Sequence, residues 1–167
     1  NTMGRAVRNV FRQGAALITI HASNNPRAIR AAVDARGDAK ILGVTVLTSI
    51  NDSECQWLYG ADIDDQVLEF AEFLREMKVD GIVCSPREVS LIRSQSRFDS
   101  MLVVTPSIRP AWDTRSSDQR RVMTPTEAIA DGADYIVVGR SITDPPAGLS
   151  PASAAKRILD EIRHSYN

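Results

Sequence analysis

Two arginines stand where apolar runs give out: Arg109 in Thr105-Pro-Ser-Ile-Arg-Pro110 and Arg140 in Val137-Val-Gly-Arg-Ser-Ile142. A guanidinium offers several donors in one plane, matched to the oxygens of a phosphate. Gly139, lacking a side chain, lets such an anion approach the backbone and take an N–H as well. The two segments lie about thirty residues apart, the length of one β/α unit. Parallel α/β barrels build phosphate sites from the loops after their last two strands. Arg140 alone reads equally well as a surface arginine over a turn glycine; its pairing with Arg109 favours an anion grip.

Other polar candidates are more ambiguous. Thr48 ends the second apolar run and aims a hydroxyl at the same mouth, although β-propensity alone accounts for a threonine there. Gln119 sits in Ser117-Asp-Gln-Arg-Arg121, within a polar loop from Arg109 to Val122. Its amide can donate to and accept from a ligand, and structureless loops of this length are often functional, yet composition alone describes a solvated loop. His21, at another strand end, reads as a structural group. Trp112 is a lid anchor or an exposed loop aromatic. Cys55 and Cys84 have neither CxxC spacing nor a histidine cluster, so neither zinc nor a disulfide framework is indicated.

These groups must be carried by a regular alternation of elements. The apolar runs Ala15–His21, Ile41–Thr48, Gly81–Ser85, Met101–Thr105 and Tyr135–Gly139 predict strands. Between them the spacing predicts helices at Asn25–Arg36, capped by Asn24 or Asn25 and stopped by Gly37, and at Asp62–Lys78. In the latter, Val67, Leu68, Phe70, Ala71 and Leu74 face inward. Further helices are predicted at Pro86–Ser96, at Pro125–Asp131 with Thr124 as N-cap, and at Ser150–Arg163 with Ser150 as N-cap. Ahead of the first strand, Arg5–Gln13 predicts a helix burying Ala6, Val7, Val10 and Phe11, with Asn1 and Thr2 as loop and cap.

Near-continuous apolar strands alternating with helices indicate a parallel sheet covered on its faces, hence an α/β fold. A doubly wound sheet is the alternative, but the glycine-rich turn expected after its first strand is missing from His21-Ala-Ser-Asn-Asn25. The 167 residues suffice for one domain with a core. A net charge of -1 gives no footprint for nucleic acid or an acidic membrane surface. The isolated cysteines make a cytoplasmic protein the expectation, and the lack of an eighteen-residue apolar run or a signal-peptide layout makes it a soluble one.

An ordered set of stretches then resembles the orotidine 5'-phosphate decarboxylase family. They are Asn1-Thr2-Met-Gly-Arg-Ala-Val7, Ile20-His-Ala-Ser23, Leu42-Gly-Val-Thr-Val-Leu-Thr-Ser49, Asp80-Gly-Ile-Val-Cys-Ser85, Val104-Thr-Pro-Ser-Ile-Arg-Pro110, Asp118-Gln-Arg-Arg121 and Asp134-Tyr-Ile-Val-Val-Gly-Arg-Ser-Ile142. Val-Gly-Arg alone is weak, whereas the ordered set is specific. The resemblance implies a (β/α)8 TIM barrel, of which residues 1–167 form one partial domain: the last five β/α units and a preceding helix. It implies decarboxylation of orotidine 5'-monophosphate to UMP and CO2, in pyrimidine biosynthesis, without metal or organic cofactor, by a homodimer. Arg109, Gln119, Gly139 and Arg140 would hold the phosphate and its loop. Thr48 would bond the pyrimidine, and Thr2 would contact the ribose region.

By the same resemblance, the lysine and two aspartates of the family's D-x-K-x-x-D-I-P-N-T segment precede Asn1, as do a strand-one aspartate and a strand-two lysine. Every residue assigned in the chain is thus a binder, no catalytic residue is assigned, and the chain alone is expected not to decarboxylate. The family's T-P-G-I-R-P also reads Thr105-Pro-Ser-Ile-Arg-Pro110 here. Serine at position 107 is harmless at negative φ but costs on the order of 1 kcal/mol at positive φ, where it can displace Arg109. Two rival readings remain open: another phosphate-binding barrel lyase or synthase, and a non-catalytic nucleotide-binding fragment.

Overall fold

The computed structural model describes residues 2–115 and 122–164. Helix α1 (Thr2–Arg12) leads into strand β1 (Leu17–His21), α2 (Pro26–Ala35) and β2 (Lys40–Val44). Two helices, α3 (Asp52–Tyr59) and α4 (Ile63–Glu76), precede β3 (Gly81–Val83). Next come a 3-10 turn at Pro86–Glu88, helix α5 (Val89–Arg93) and β4 (Leu102–Thr105). The chain continues through α6 (Pro125–Ala130), β5 (Tyr135–Ile136), α7 (Arg140–Thr143) and α8 (Pro151–His164).

All the described strands pair in parallel in the order β1-β2-β3-β4-β5. A doubly wound sheet would reverse its order; this one does not. Since parallel crossovers are right-handed, an order that only advances puts every connecting helix on one face, as in a β/α barrel. On that face Ile18, Ile20, Ile41, Ile82 and Val103 join Ile29, Val67, Leu74, Val89 and Ile92 in the core. The register carries Leu17, Thr19, His21 and Tyr135 onto the other face, where they are exposed.

Several helix ends follow local signals. Asn25 caps α2 by accepting from the Ala28 N–H, and Thr124 caps α6 by accepting from Glu127, whose carboxylate reciprocates. Ser150 accepts from the Ser153 N–H at the start of α8. Helix α3 was not expected, yet Asn51 and Glu54 form a full capping box at its start, a pattern visible in Asn51-Asp-Ser-Glu54.

Three expectations need correcting. Thr2 begins α1 rather than capping it, and the buried stripe of that helix is Gly4, Val7 and partly buried Phe11; Ala6 and Val10 are exposed. Gly4 lies there because a Cβ would come within 2.9 Å of the Ala31 carbonyl oxygen, so the small residue sets the close approach of α1 to α2. Strand β2 ends at Val44, and Thr48 lies in a turn beyond it. Strand β5 ends at Ile136, although the Val137 N–H still reaches the Thr105 carbonyl. Apolar runs mark burial, and burial persists for several residues after a chain leaves the ladder: Val46 is 2% exposed outside β2.

Candidate active site

Parallel strands share one C-terminal edge, and the segments leaving β4 and β5 meet there. Pro106 to Arg109, Val137 and Gly139 to Ser141 line a pocket of about 200 Å³. Two guanidinium-bearing residues and no carboxylate are among the lining residues, so the pocket suits an anion. Whole small-molecule sites occupy roughly 300–1,000 Å³, and this pocket is the size for one end of a ligand. Gly139 faces open space: an added Cβ would meet nothing within 4 Å. A side chain there would therefore take up ligand volume.

Backbone pairing anchors the Arg109 side of the pocket. The Arg109 N–H donates to the Met123 carbonyl at 3.0 Å, and Ile108 bridges Met123 in parallel. These bonds pinch the base of the loop that follows β4. Trp112, within that loop, lies under the Arg157 guanidinium of α8, 4.8 Å from its ring centroid. The tryptophan is an anchor of the loop against α8, a cation–π contact that sequence could not distinguish from an exposed aromatic.

Between the two arginines lies a network that sequence reasoning missed. Asp113, with a fully buried side chain, accepts from Arg115 Nε and Nη2, both at 2.8 Å, and from Ser141 Oγ at 2.6 Å. The Arg115 bonds, assisted by the Ser141 hydroxyl, hold the Asp113 carboxyl well below the usual carboxylate range despite its burial. Arg115 also donates to the Asp144 carbonyl at 2.5 Å, and its own carbonyl accepts from the Arg109 guanidinium. No periodicity links positions 113 and 141, and only folding brings them together. Helix α7, which carries Ser141, is too short to leave a periodic signal.

Ser107 falls on the unfavourable side of its fork. Its φ is +62°, its residue is 3% exposed, and its hydroxyl is buried without a hydrogen-bond partner. Among the described candidates, Thr48 and Thr2 do not line the pocket. Thr48 is half-buried at the same edge beyond β2, with β3 between it and β4. Its neighbour Thr45 serves the sheet, donating its hydroxyl to the Val83 carbonyl at 3.0 Å. Thr2 is exposed on α1, which runs parallel to α2: Gly4 abuts Ala31, while the Phe11 ring abuts Gly37. Thr2 is not among the residues that line the pocket, all of which follow β4 and β5. Gln119 lies outside the described residues. Cys84 is buried, and burial with nearby Glu88 pushes its thiol above the usual range, which leaves it unreactive.

Comparison with known proteins places this geometry among relatives. Residues 1–158 match the model of the Orotidine 5'-phosphate decarboxylase / HUMPS family. The orotidine 5'-phosphate decarboxylase of Rhodopseudomonas palustris (strain BisA53) is 44% identical over 165 residues, covering 97% of this chain and 67% of the relative. That of Paramagnetospirillum magneticum is 44% identical over 172 residues, covering 97% and 71%. Among solved structures, orotidine 5'-phosphate decarboxylase from Lactobacillus acidophilus superposes with a TM-score of 0.76 at 31% identity, covering 97% of this chain and 70% of that one. The enzyme from Pyrococcus horikoshii superposes with a TM-score of 0.68 at 26% identity, covering 98% and 68%. The chain thus spans about two thirds of the length of each of these proteins.

Proposed function

This chain belongs to the Orotidine 5'-phosphate decarboxylase / HUMPS family, and on that footing we propose that its pocket grips the phosphate of orotidine 5'-monophosphate and of the product UMP. The reaction served is decarboxylation of that nucleotide in pyrimidine biosynthesis. The observation that carries the reading is the pairing of Arg109 and Arg140 around open Gly139 in a pocket without a carboxylate. Arg109 and Arg140 neutralise the phosphate dianion, and the Gly139 backbone accommodates its approach. Gln119 closes the loop over the phosphate, Thr48 bonds the pyrimidine and Thr2 contacts the ribose region, within a cytoplasmic homodimer.

Loss of CO2 leaves a carbanion at the pyrimidine, which requires a buried electrostatic array and a proton donor. The phosphate lies remote from that carbon, and its binding energy organises the site and commits the loop. Each residue assigned above is a binder, so the polypeptide of residues 1–167 is expected to bind UMP without turning over orotidine 5'-monophosphate; measured turnover would overturn this. Titration with UMP, uridine and a sugar phosphate tests the binding. Preference for UMP over both supports the proposal, equal affinity for UMP and the sugar phosphate supports a generic phosphate barrel, and no binding of any phosphate ester overturns it.

A further inference from the structure

We propose that Asp113 is a positioning residue that sets the spacing of the two pocket arginines, acting through Arg115 and Ser141; this rests on the anion-site reading. Asp113 follows Arg109 by four residues on the loop after β4, and Ser141 follows Arg140 directly in α7. The hydrogen bond from Ser141 Oγ to Asp113 Oδ2, at 2.6 Å, therefore spans the two arginine-bearing segments. Arg115 closes the same link from the other side. Its guanidinium holds both Asp113 oxygens and the Asp144 carbonyl at the end of α7, and lies 3.5 Å from the Arg140 carbonyl. Its carbonyl meanwhile receives the Arg109 guanidinium.

A carboxylate next to an anion site opposes binding unless its charge is compensated. Asp113 faces Arg115 and Ser141, which satisfy it, and its side chain is fully buried. Two segments from different strands are thereby fixed to one another before a ligand arrives, and less ordering remains for binding to accomplish. The loop after β4 and helix α7 are otherwise separate extensions of neighbouring strands, so a break in this link lets the arginines drift apart while the sheet stays intact.

The test is calorimetric titration of UMP, inorganic phosphate and uridine against the wild-type chain, Asp113→Asn, Ser141→Ala, Arg140→Ala and the Asp113→Asn/Arg140→Ala double variant, with Tm recorded for each. Asp113→Asn is expected to weaken UMP and phosphate about tenfold and Ser141→Ala about threefold, with uridine affinity unchanged. In the Arg140→Ala background, Asp113→Asn is expected to add little, because the residue it positions is gone. Ser141→Ala deletes one hydroxyl and keeps the Arg115–Asp113 pair, so it carries the test if Asp113→Asn does not fold. Wild-type affinity in both single variants, or an equal loss with and without Arg140, overturns the positioning role while leaving the anion site standing. Failure of the wild-type chain to bind UMP and phosphate overturns the anion site itself, and the positioning role with it.

Discussion

The two edges of the sheet use the same pair of residue types for different ends. At the N-terminal edge, Asp80 precedes β3, accepts from the Ile41 N–H of β2 at 2.9 Å and forms an ion pair with Arg36 at 3.3 Å; Asp134 precedes β5 and accepts from the Val103 N–H of β4 and from Arg93, both at 2.7 Å. Each aspartate also donates its own N–H back to the carbonyl of the residue it binds. At the C-terminal edge, Asp113 touches no strand backbone among the described residues: it accepts from Arg115 of its own loop and from the Ser141 hydroxyl of α7. A carboxylate bound to strand backbone pins strand register, because shifting the strand breaks the bond. One bound to its own loop and to a hydroxyl on α7 pins those two segments to one another and leaves the register alone. On the anion-site reading proposed above, stability is concentrated at one edge and ligand geometry at the other, the division known for β/α barrels.

The largest effect expected from breaking this contrast is at the pocket. Arg140→Ala removes one guanidinium from the proposed phosphate grip, a loss of at least about 2 kcal/mol, so UMP should bind at least about thirtyfold more weakly by calorimetry. Its Tm should stay within about 2 °C of wild type, as expected for an exposed residue outside the core. A large fall in Tm with unchanged affinity would place Arg140 in the scaffold.

The reverse outcome is expected at the other edge. Asp134→Ala leaves the partly buried Val103 N–H without its acceptor and removes one of the acceptors of the Arg93 guanidinium, which keeps the Gly132 and Met101 carbonyls. Groups of this kind cost about 1–3 kcal/mol when left unpaired, and a loss near 2 kcal/mol lowers Tm by about 4–8 °C in a domain of this size. UMP affinity should remain within about twofold. If Asp134→Ala weakens UMP as strongly as Arg140→Ala does, the edges are not independent and the division fails.

Between the edges, the backbone was far more legible in the sequence than the site. Apolar runs located every described strand, and the caps at Asn25, Thr124 and Ser150 are local patterns that sequence carries in full. Strand ends were overrun at Thr48 and Gly139 because an apolar side chain is selected by burial, not by ladder pairing. The α1 stripe was misplaced because Gly4 packs tightly without being hydrophobic, so a search for apolar residues passes over it. Arg109, Gly139 and Arg140 announced themselves by position at strand ends and do line one pocket. Asp113 and Ser141, and the register aspartates with Arg36 and Arg93, depend on contacts 28 to 44 positions apart, which one sequence does not encode locally.

A smaller effect, of opposite sign, is expected where the pocket departs from the family's usual residue. Ser107→Gly removes a left-handed side chain, worth about 1–2 kcal/mol, and a buried hydroxyl without a partner. Glycine's extra freedom in the unfolded chain returns about 0.5–1 kcal/mol. The net gain of about 1 kcal/mol should raise Tm by about 2–4 °C. Thermal melts that show a fall instead would mean that the serine conformation is not strained.

The smallest effect is a change of slope with pH, and it isolates the Asp113 carboxylate. Arg115 and Ser141 depress the Asp113 pKa in the folded state below its unfolded value of about 3.9. Between those two values the unfolded chain binds more protons, so stability falls as pH falls, and the contribution of the charged form is complete only above the unfolded value. Asparagine at 113 keeps the shape but carries no charge at any pH. The Tm difference between wild type and Asp113→Asn should therefore be flat from about pH 5 to pH 8 and should narrow only below about pH 4. A difference that stays flat below pH 4, or that widens as pH falls, would mean that Asp113 takes up its proton within the ordinary range or above it. The bonds from Arg115 and Ser141 would then not hold the carboxylate, and the C-terminal edge would lose the link that distinguishes it from the register pins below.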